Sequence, residues 1–227
     1  MVLYKLQFLY RKWQHKQYAQ KTALANLYQQ RPLSGKSTVK SNRFLVLDCE
    51  MSGLDPKKAQ LLSIGWILIE QGKIINNSAR HILVHAESGA GESTKVHGLF
   101  DAEIAGAKSV ASALMSLIKL IPDSILVFHH APIDIQFLQT AARDIFRTPL
   151  LFSYMDTLAI EQSRMALQGK QKSLRLPECR KRYGLPPSQE HNALTDAIAT
   201  AELFLAQIHY LTNSTNPKLN QLPLESS

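Results

Sequence analysis

An α/β domain on a mixed sheet is the fold class that the sequence predicts, and three observations predict it. Short continuous apolar runs, which read as buried strands, alternate with segments of helical periodicity in the order βββαβαβα. The composition, 45% hydrophobic and 19% charged over 227 residues, is that of a chain that buries a core. The two cysteines, Cys49 and Cys179, are too few for a disulfide framework and too far apart for a zinc motif, so the core must hold the fold together unaided.

The elements follow in chain order. Residues 1–30 place Leu3, Leu6, Leu9, Tyr10, Trp13, Tyr18 and Leu24 at loose helical spacing, which predicts a helix docked on the domain or on a partner. The segment lacks the continuous apolar core of a secretory signal, and its many aromatics set it apart from a mitochondrial presequence. Residues 31–42 (RPLSGKSTVKSN) read as a linker, and the GKST within it lacks the first glycine and the preceding strand of a phosphate-binding loop. The apolar run at 44–47 ends at Asp48 as a central strand should. Residues 60–69 and 73–84 read as a hairpin turning at Gln71-Gly72.

Val110, Leu114, Leu117, Ile118 and Ile121 mark a helix that Pro122 stops, and 125–128 is a short buried strand. Ile133, Phe137, Ala141 and Ile145 stripe a second helix over 133–146, and 150–155 reads as a last strand. Leu194, Ile198, Ala201, Leu205 and Ile208 step by fours and threes, the clearest amphipathic pattern in the chain. The expected organisation is therefore a basic helical extension and linker at 1–42, one folded domain at 43–210, and a flexible polar tail at 211–227. The longest uncharged apolar-rich stretch, 59–69, is too short to span a bilayer, and no membrane partner is expected.

Charge is unevenly placed. Residues 1–43 hold nine of the 26 Lys and Arg and none of the 18 Asp and Glu. A second basic stretch runs through Arg164, Lys170, Lys172, Arg175, Arg180, Lys181 and Arg182 against the single acid Glu178. Basic segments around a mildly acidic body suit a polyanion met by particular surfaces, and equally suit solvated faces. On the first reading the stretch follows a phosphate backbone.

The acids carry the chemistry. Asp48 and Glu50 end the first strand as D-C-E, so both point to one face while Cys49 points to the other as a small buried hydrophobe. Adjacent carboxylates repel unless a cation lies between them, and a hard divalent ion suits oxygen ligands. Asp134 falls in the first turn of the helix after 125–128, and Asp196 lies one turn inside the last helix. His191 precedes Asp196 by five residues, about 140° around a helix, so His191 belongs in the loop before it. Asp156, ahead of Thr157 and a helical stretch, reads as an N-cap rather than a ligand.

The segments DCEMSGLDP, HHAPIDIQFL and HNALTDA, with the subsidiary VHGL and MDTL, resemble the motifs of the DEDD-superfamily 3′–5′ exonucleases whose fifth residue is histidine. This is the DnaQ-like group, which includes the proofreading epsilon subunit of bacterial DNA polymerase III. The resemblance runs over about 44–208 and implies an RNase H-like fold, a five-stranded mixed sheet flanked by helices. Residue by residue it places the metal-site acids on Asp48, Glu50, Asp134 and Asp196, the general base on His191, and substrate contacts on Met51, Leu54 and His97. It implies two Mg²⁺ or Mn²⁺ ions, a nucleic acid with a free 3′ end, DNA in preference to RNA, and a bacterial, cytoplasmic setting.

Cys49 and Met51 stand where the family often has Thr, and His130 where it commonly has Asn, which leaves substrate preference open. The alternative reading is a catalytically idle nucleic-acid-binding or polymerase-accessory module on the same fold. A DNA polymerase is one further partner considered. A sliding clamp is another, because Gln221-Leu222-Pro223-Leu224 resembles a short clamp-docking peptide.

Overall fold

The structure is a computed structural model, and it describes residues 1–85, 107–167, 169, 172–188 and 191–227. Six strands form one mixed sheet: β1 (Arg43–Met51), β2 (Leu61–Glu70), β3 (Lys73–Leu83), β4 (Ser124–Phe128), β5 (Ser153–Asp156) and β6 (Glu225–Ser226). They lie in the order β3-β2-β1-β4-β5-β6. β1 runs antiparallel to β2 and parallel to β4, so the sheet changes from a hairpin half to a crossover half at β1. β1 and β4 are almost wholly buried, as a continuous apolar strand must be when both its faces are covered.

Six α-helices lie among the described residues: α1 (Val2–Ala19), α2 (Val110–Ile118), α3 (Ala131–Phe146), α4 (Thr157–Leu167), α5 (Leu176–Arg182) and α6 (Ala193–Thr212). α6 packs across β1 and β2, with the Phe204 ring 5.1 Å from that of Phe44. α2 packs on α3, and α4 and α5 pack on α6.

The alternation of strand and helix signals is recovered from the hairpin onward, and three expectations need correction. The sheet has six strands rather than five, because the tail adds β6 to the edge of β5. The tail itself is folded. Leu219, Leu222 and Leu224 are buried, and the Ser227 N–H donates to the Phe152 carbonyl at 3.0 Å. The expected linker is also pinned, since Val39 N–H donates to the Pro217 carbonyl and Leu219 N–H to the Ser37 carbonyl. A polar composition hid three leucines that close one side of the core, and their burial orders the chain between them. α1 docks on the domain through Tyr4, Phe8 and Ala19, and the Tyr4 hydroxyl lies 2.8 Å from Ser153 Oγ.

Part of the basic stretch is structural. Glu161 on α4 is fully buried and accepts two hydrogen bonds from Arg164, one from Arg182 at 2.7 Å and one from the Tyr183 hydroxyl at 2.8 Å. The Arg164 guanidinium stacks between Tyr183 and Tyr210 at 5.3 and 5.2 Å. Arg180, also buried, pairs with Glu202 at 2.7 Å and donates to the Ala199 and Pro186 carbonyls. These arginines tie α4 and α5 to α6, so the phosphate-following reading cannot apply to Arg164, Arg180 or Arg182. Lys172, Arg175 and Lys181 are exposed, and Lys170 lies outside the described residues.

Burial alone would raise the Glu161 pKa, but the hydrogen bonds from Arg164, Tyr183 and Arg182 bring it down to about 2. A carboxylate whose folded pKa is depressed stabilises the fold above its unfolded value and loses that contribution as pH falls through the folded one. Glu161→Gln should therefore lower stability by about 3–5 kcal/mol at neutral pH, because it leaves partly buried arginines unpaired. In thermal melts the gap from wild type should narrow as pH falls from 4.5 towards about 2. A gap that stays constant over that range would show that the charge contributes nothing.

Candidate active site

The site is built where β1 and β4 end. Asp48 and Glu50 leave the same face of β1, and α6 brings Asp196 to them, so that carboxylate oxygens of all three lie within 4.8 Å of one another. Glu50 is buried and Asp48 partly so. Burial, and then the charges of Asp134, Glu50 and Asp196, push the Asp48 pKa well above the usual carboxylate range. Such a cluster is costly while its charges go unbalanced. Its all-oxygen donors fit a hard divalent cation, which would remove the repulsion.

Asp134 arrives from the first turn of α3, which follows β4. It is buried, and its Oδ1 accepts a 2.9 Å hydrogen bond from the Cys49 N–H. Burial lifts its pKa to about 7, against the lowering effect of the hydrogen bonds from Cys49. The structure thus brings Asp134 beside the D-C-E segment, outside the group of three that converge within 4.8 Å.

The start of α3 is fixed by a residue that sequence reasoning assigned to one helix only. Asp156 Oδ1 accepts from Leu158 N–H at 2.9 Å, capping α4 as expected. It also accepts from His130 N–H through Oδ1 and from Ala131 N–H through Oδ2, at 2.9 and 3.0 Å. One buried carboxylate therefore caps both helices and sets where Asp134 emerges. His130 takes a left-handed conformation (φ 76°) to allow this. Next to it, His129 Nε2 lies 2.9 Å from the Leu174 carbonyl and Nδ1 lies 2.8 Å from Thr157 Oγ1. A carbonyl only accepts, so Nε2 carries the proton. Burial lowers the ring's pKa, in keeping with a neutral strut between the β4 end and the segment before α5.

His191 lies just before α6, outside regular helix, with φ 65° and an exposed side chain. Its N–H donates to Asp196 Oδ2 at 3.1 Å. Asn192 caps the helix by accepting from Leu194 and Thr195 N–H. Gly65 makes the approach of α6 possible. It pairs with Asp48 across the β1–β2 ladder, and a Cβ there would overlap the Ala193 carbonyl carbon and the Leu194 nitrogen. The sequence signal was a glycine inside a strand-like run, which marks close backbone approach.

These groups face an open cleft of about 670 Å³, lined also by Met51, Leu54, Ile133, Leu158 and Arg175. Met51 is buried in its wall, whereas Leu54 stands 79% exposed at its rim. His97 lies outside the described residues.

A mixed sheet with carboxylates gathered at the end of its central strand, beside an open cleft, is the framework of a metal-dependent hydrolase, and the likeness to known proteins makes the class a nuclease. The exonuclease family model (RNase_T) matches residues 45–204, and the chain belongs to this family. It is 30% identical to the DNA polymerase III subunit epsilon of Rickettsia typhi over 174 residues, covering 73% of this chain and 74% of that one. It is also 30% identical over 193 residues to the PolC-type DNA polymerase III of Thermotoga maritima, covering 85% of this chain but only 14% of that polymerase. Among solved structures, cell-death related nuclease 4 superposes with a TM-score of 0.62 at 15% identity, over 78% of this chain and 66% of that one. Escherichia coli exonuclease I in complex with a dT13 oligonucleotide gives 0.60 at 15% identity, over 74% of this chain and 41% of that one. At such identity these two likenesses are of fold.

Gly65→Ala should push the first turn of α6 off β2 and carry Asp196 and His191 with it. We expect a loss of about 1–3 kcal/mol from overpacking. Activity should fall by about a hundredfold, the scale of a 1 Å misplacement. Wild-type melting and wild-type nucleotide release together would refute the positional role of Gly65.

Proposed function

We propose that the protein is a divalent-metal-dependent 3′–5′ exonuclease that releases nucleoside 5′-monophosphates from DNA. The observation that carries this reading is the convergence of Asp48, Glu50 and Asp196 within 4.8 Å, with Asp134 beside them on the Cys49 amide. Asp48, Glu50 and Asp196 would hold one Mg²⁺ or Mn²⁺ ion, and Asp134 with Asp48 a second. Bound there, the ions supply charge stabilisation for the attacking and leaving oxygens of a phosphodiester.

The protein's own residues do the rest. Met51 and Leu54 offer apolar contact to the terminal base and sugar, which suits a sequence-tolerant enzyme. Arg175, exposed on the cleft wall, pairs with a backbone phosphate. The His191 imidazole accepts the proton of the attacking water, the usual task of a histidine general base. Its attachment through the backbone to Asp196 keeps the base beside the carboxylates.

A substrate of DNA is supported by the relatives named as DNA polymerase III components, and the same names support a DNA polymerase as working partner. The relatives being bacterial supports a bacterial cytoplasmic setting. Docking on a sliding clamp through Gln221–Leu224 finds no support, since Leu222 and Leu224 are already buried in this chain's own fold.

End-labelled single-stranded DNA, mispaired primer-template and RNA of equal length test the reading in parallel. Wild type should release 5′-mononucleotides from the 3′ end with Mg²⁺ and stop in EDTA. Asp48→Asn, Glu50→Gln, Asp134→Asn and Asp196→Asn should each lose most turnover. Full activity in any two of them, or binding without turnover in wild type, would overturn the assignment and favour an idle binding module.

His191→Ala should slow release by about 10²–10⁴-fold, the usual scale for a general base. Its metal titration midpoint should stay near wild type. A midpoint displaced as far as that of Asp196→Asn would make His191 a ligand instead.

A further inference from the structure

Of the 13 large apolar side chains that stand exposed among the described residues, seven lie on α1. The helix uses one side, Tyr4, Phe8 and Ala19, to dock on the domain. On a helical projection Leu9, Val2, Trp13, Leu6, Tyr10 and Leu3 fall on a second arc of about 120° that faces solvent. Trp13 is 77% exposed and Leu6 62%. A contiguous apolar stripe over residues 2–13 of the helix is not a random scatter of surface leucines.

Charge selects the occupant. Lys5 and Lys16 border the stripe on one side, Arg11 lies beyond its other edge, and all three are exposed. No Asp or Glu occurs anywhere in residues 1–43. A second copy of the chain would bring these cations against their like with no acid to pair them. An oligonucleotide would stack on Tyr10 and Trp13 but has no use for Val2, Leu3, Leu6 and Leu9. Protein interfaces are depleted of lysine, whereas a stripe of Leu and Trp edged by Lys is what an anionic bilayer surface takes up. The stripe parallels the helix axis, so the helix can lie flat at the headgroup level with the domain above it.

We propose that the exposed face of α1 is a membrane-surface anchor that binds anionic phospholipid. This revises the expectation of no membrane partner. That expectation rested on the lack of a spanning segment, and no helix among the described residues is long and apolar enough to cross a membrane. The anchor lies on the bilayer without crossing it.

The full chain, spun with vesicles of phosphatidylcholine containing about 30% phosphatidylglycerol, should co-sediment far more than with phosphatidylcholine alone, and added salt should weaken it. Trp66 is 4% exposed, so a blue shift of tryptophan emission on vesicle addition reports Trp13. Leu6→Ser combined with Trp13→Ser should weaken vesicle binding by about tenfold or more, and Lys5→Gln with Lys16→Gln by a similar factor. Both double variants change exposed side chains and should keep the wild-type melting temperature and lipid-free nucleotide release. Equal sedimentation of wild type and the Leu6/Trp13 variant would overturn the proposal, as would indifference to phosphatidylglycerol. So would a wild-type dimer that this variant dissociates, without vesicle binding, since the stripe would then belong to a second copy.

Discussion

The candidate site depends on a contact between two backbones. At Gly65 the second strand has no side chain, and the first turn of α6 rests directly on the peptide plane there. The ladder puts Gly65 opposite Asp48, so this contact fixes the distance between the acid of the central strand and the acid of the last helix. Asn192 then caps the helix and His191 is held just outside it. A side chain at position 65 would separate groups that lie more than 120 residues apart in the chain. The constraint is steric, and so it holds whatever the state of ionisation of the acids.

Electrostatics work against the same arrangement. The pKa values of Asp48 and Asp134 are both driven upward, chiefly by burial, which means that the folded chain without cations tolerates its negative charge poorly. The surrounding framework holds it in place nonetheless. Asp156 fastens the starts of two helices with one carboxylate, and the Glu161 cluster clamps α4 and α5 to α6 from further out. Rigid helix starts keep the acids converged in the face of their repulsion, and this is the preorganisation that an ion-binding site needs.

Much of this was legible in the sequence because the local signals are strong. The central strand ending in D-C-E, the helix steps of 194–208 and the positions of Asp134 and His191 rest on periods of two and 3.6, which one short segment suffices to show. Contacts between distant segments were not legible. Nothing in the polar run after 211 says that Leu219 meets Ser37 or that Leu222 and Leu224 are buried, because each leucine is unremarkable in its own window. The basic stretch misled for a related reason. Arg180 and Arg182 are paired with Glu202 and Glu161, about 20 residues away, and Arg164 with Glu161 just ahead of the stretch, so a count of charge within the stretch cannot see those partners. Asp156 was half legible: its own helix was adjacent in sequence, and the second helix it caps was 25 residues back.

The two-residue strand at the end of the tail has a bearing on solubility. A sheet edge presents unpaired amides and carbonyls that invite another chain to add on. At one margin β3 answers with exposed Lys73, Asn76 and Asn77 and with an irregular register against β2. At the other, β5 is only four residues long and carries no lysine, and Glu225 and Ser226 cover it. The tail thus serves as a built-in edge guard. A chain shortened by its last nine residues would keep every acid of the cleft and still offer a bare strand to its neighbours, so that self-association would follow from a cut far from the chemistry.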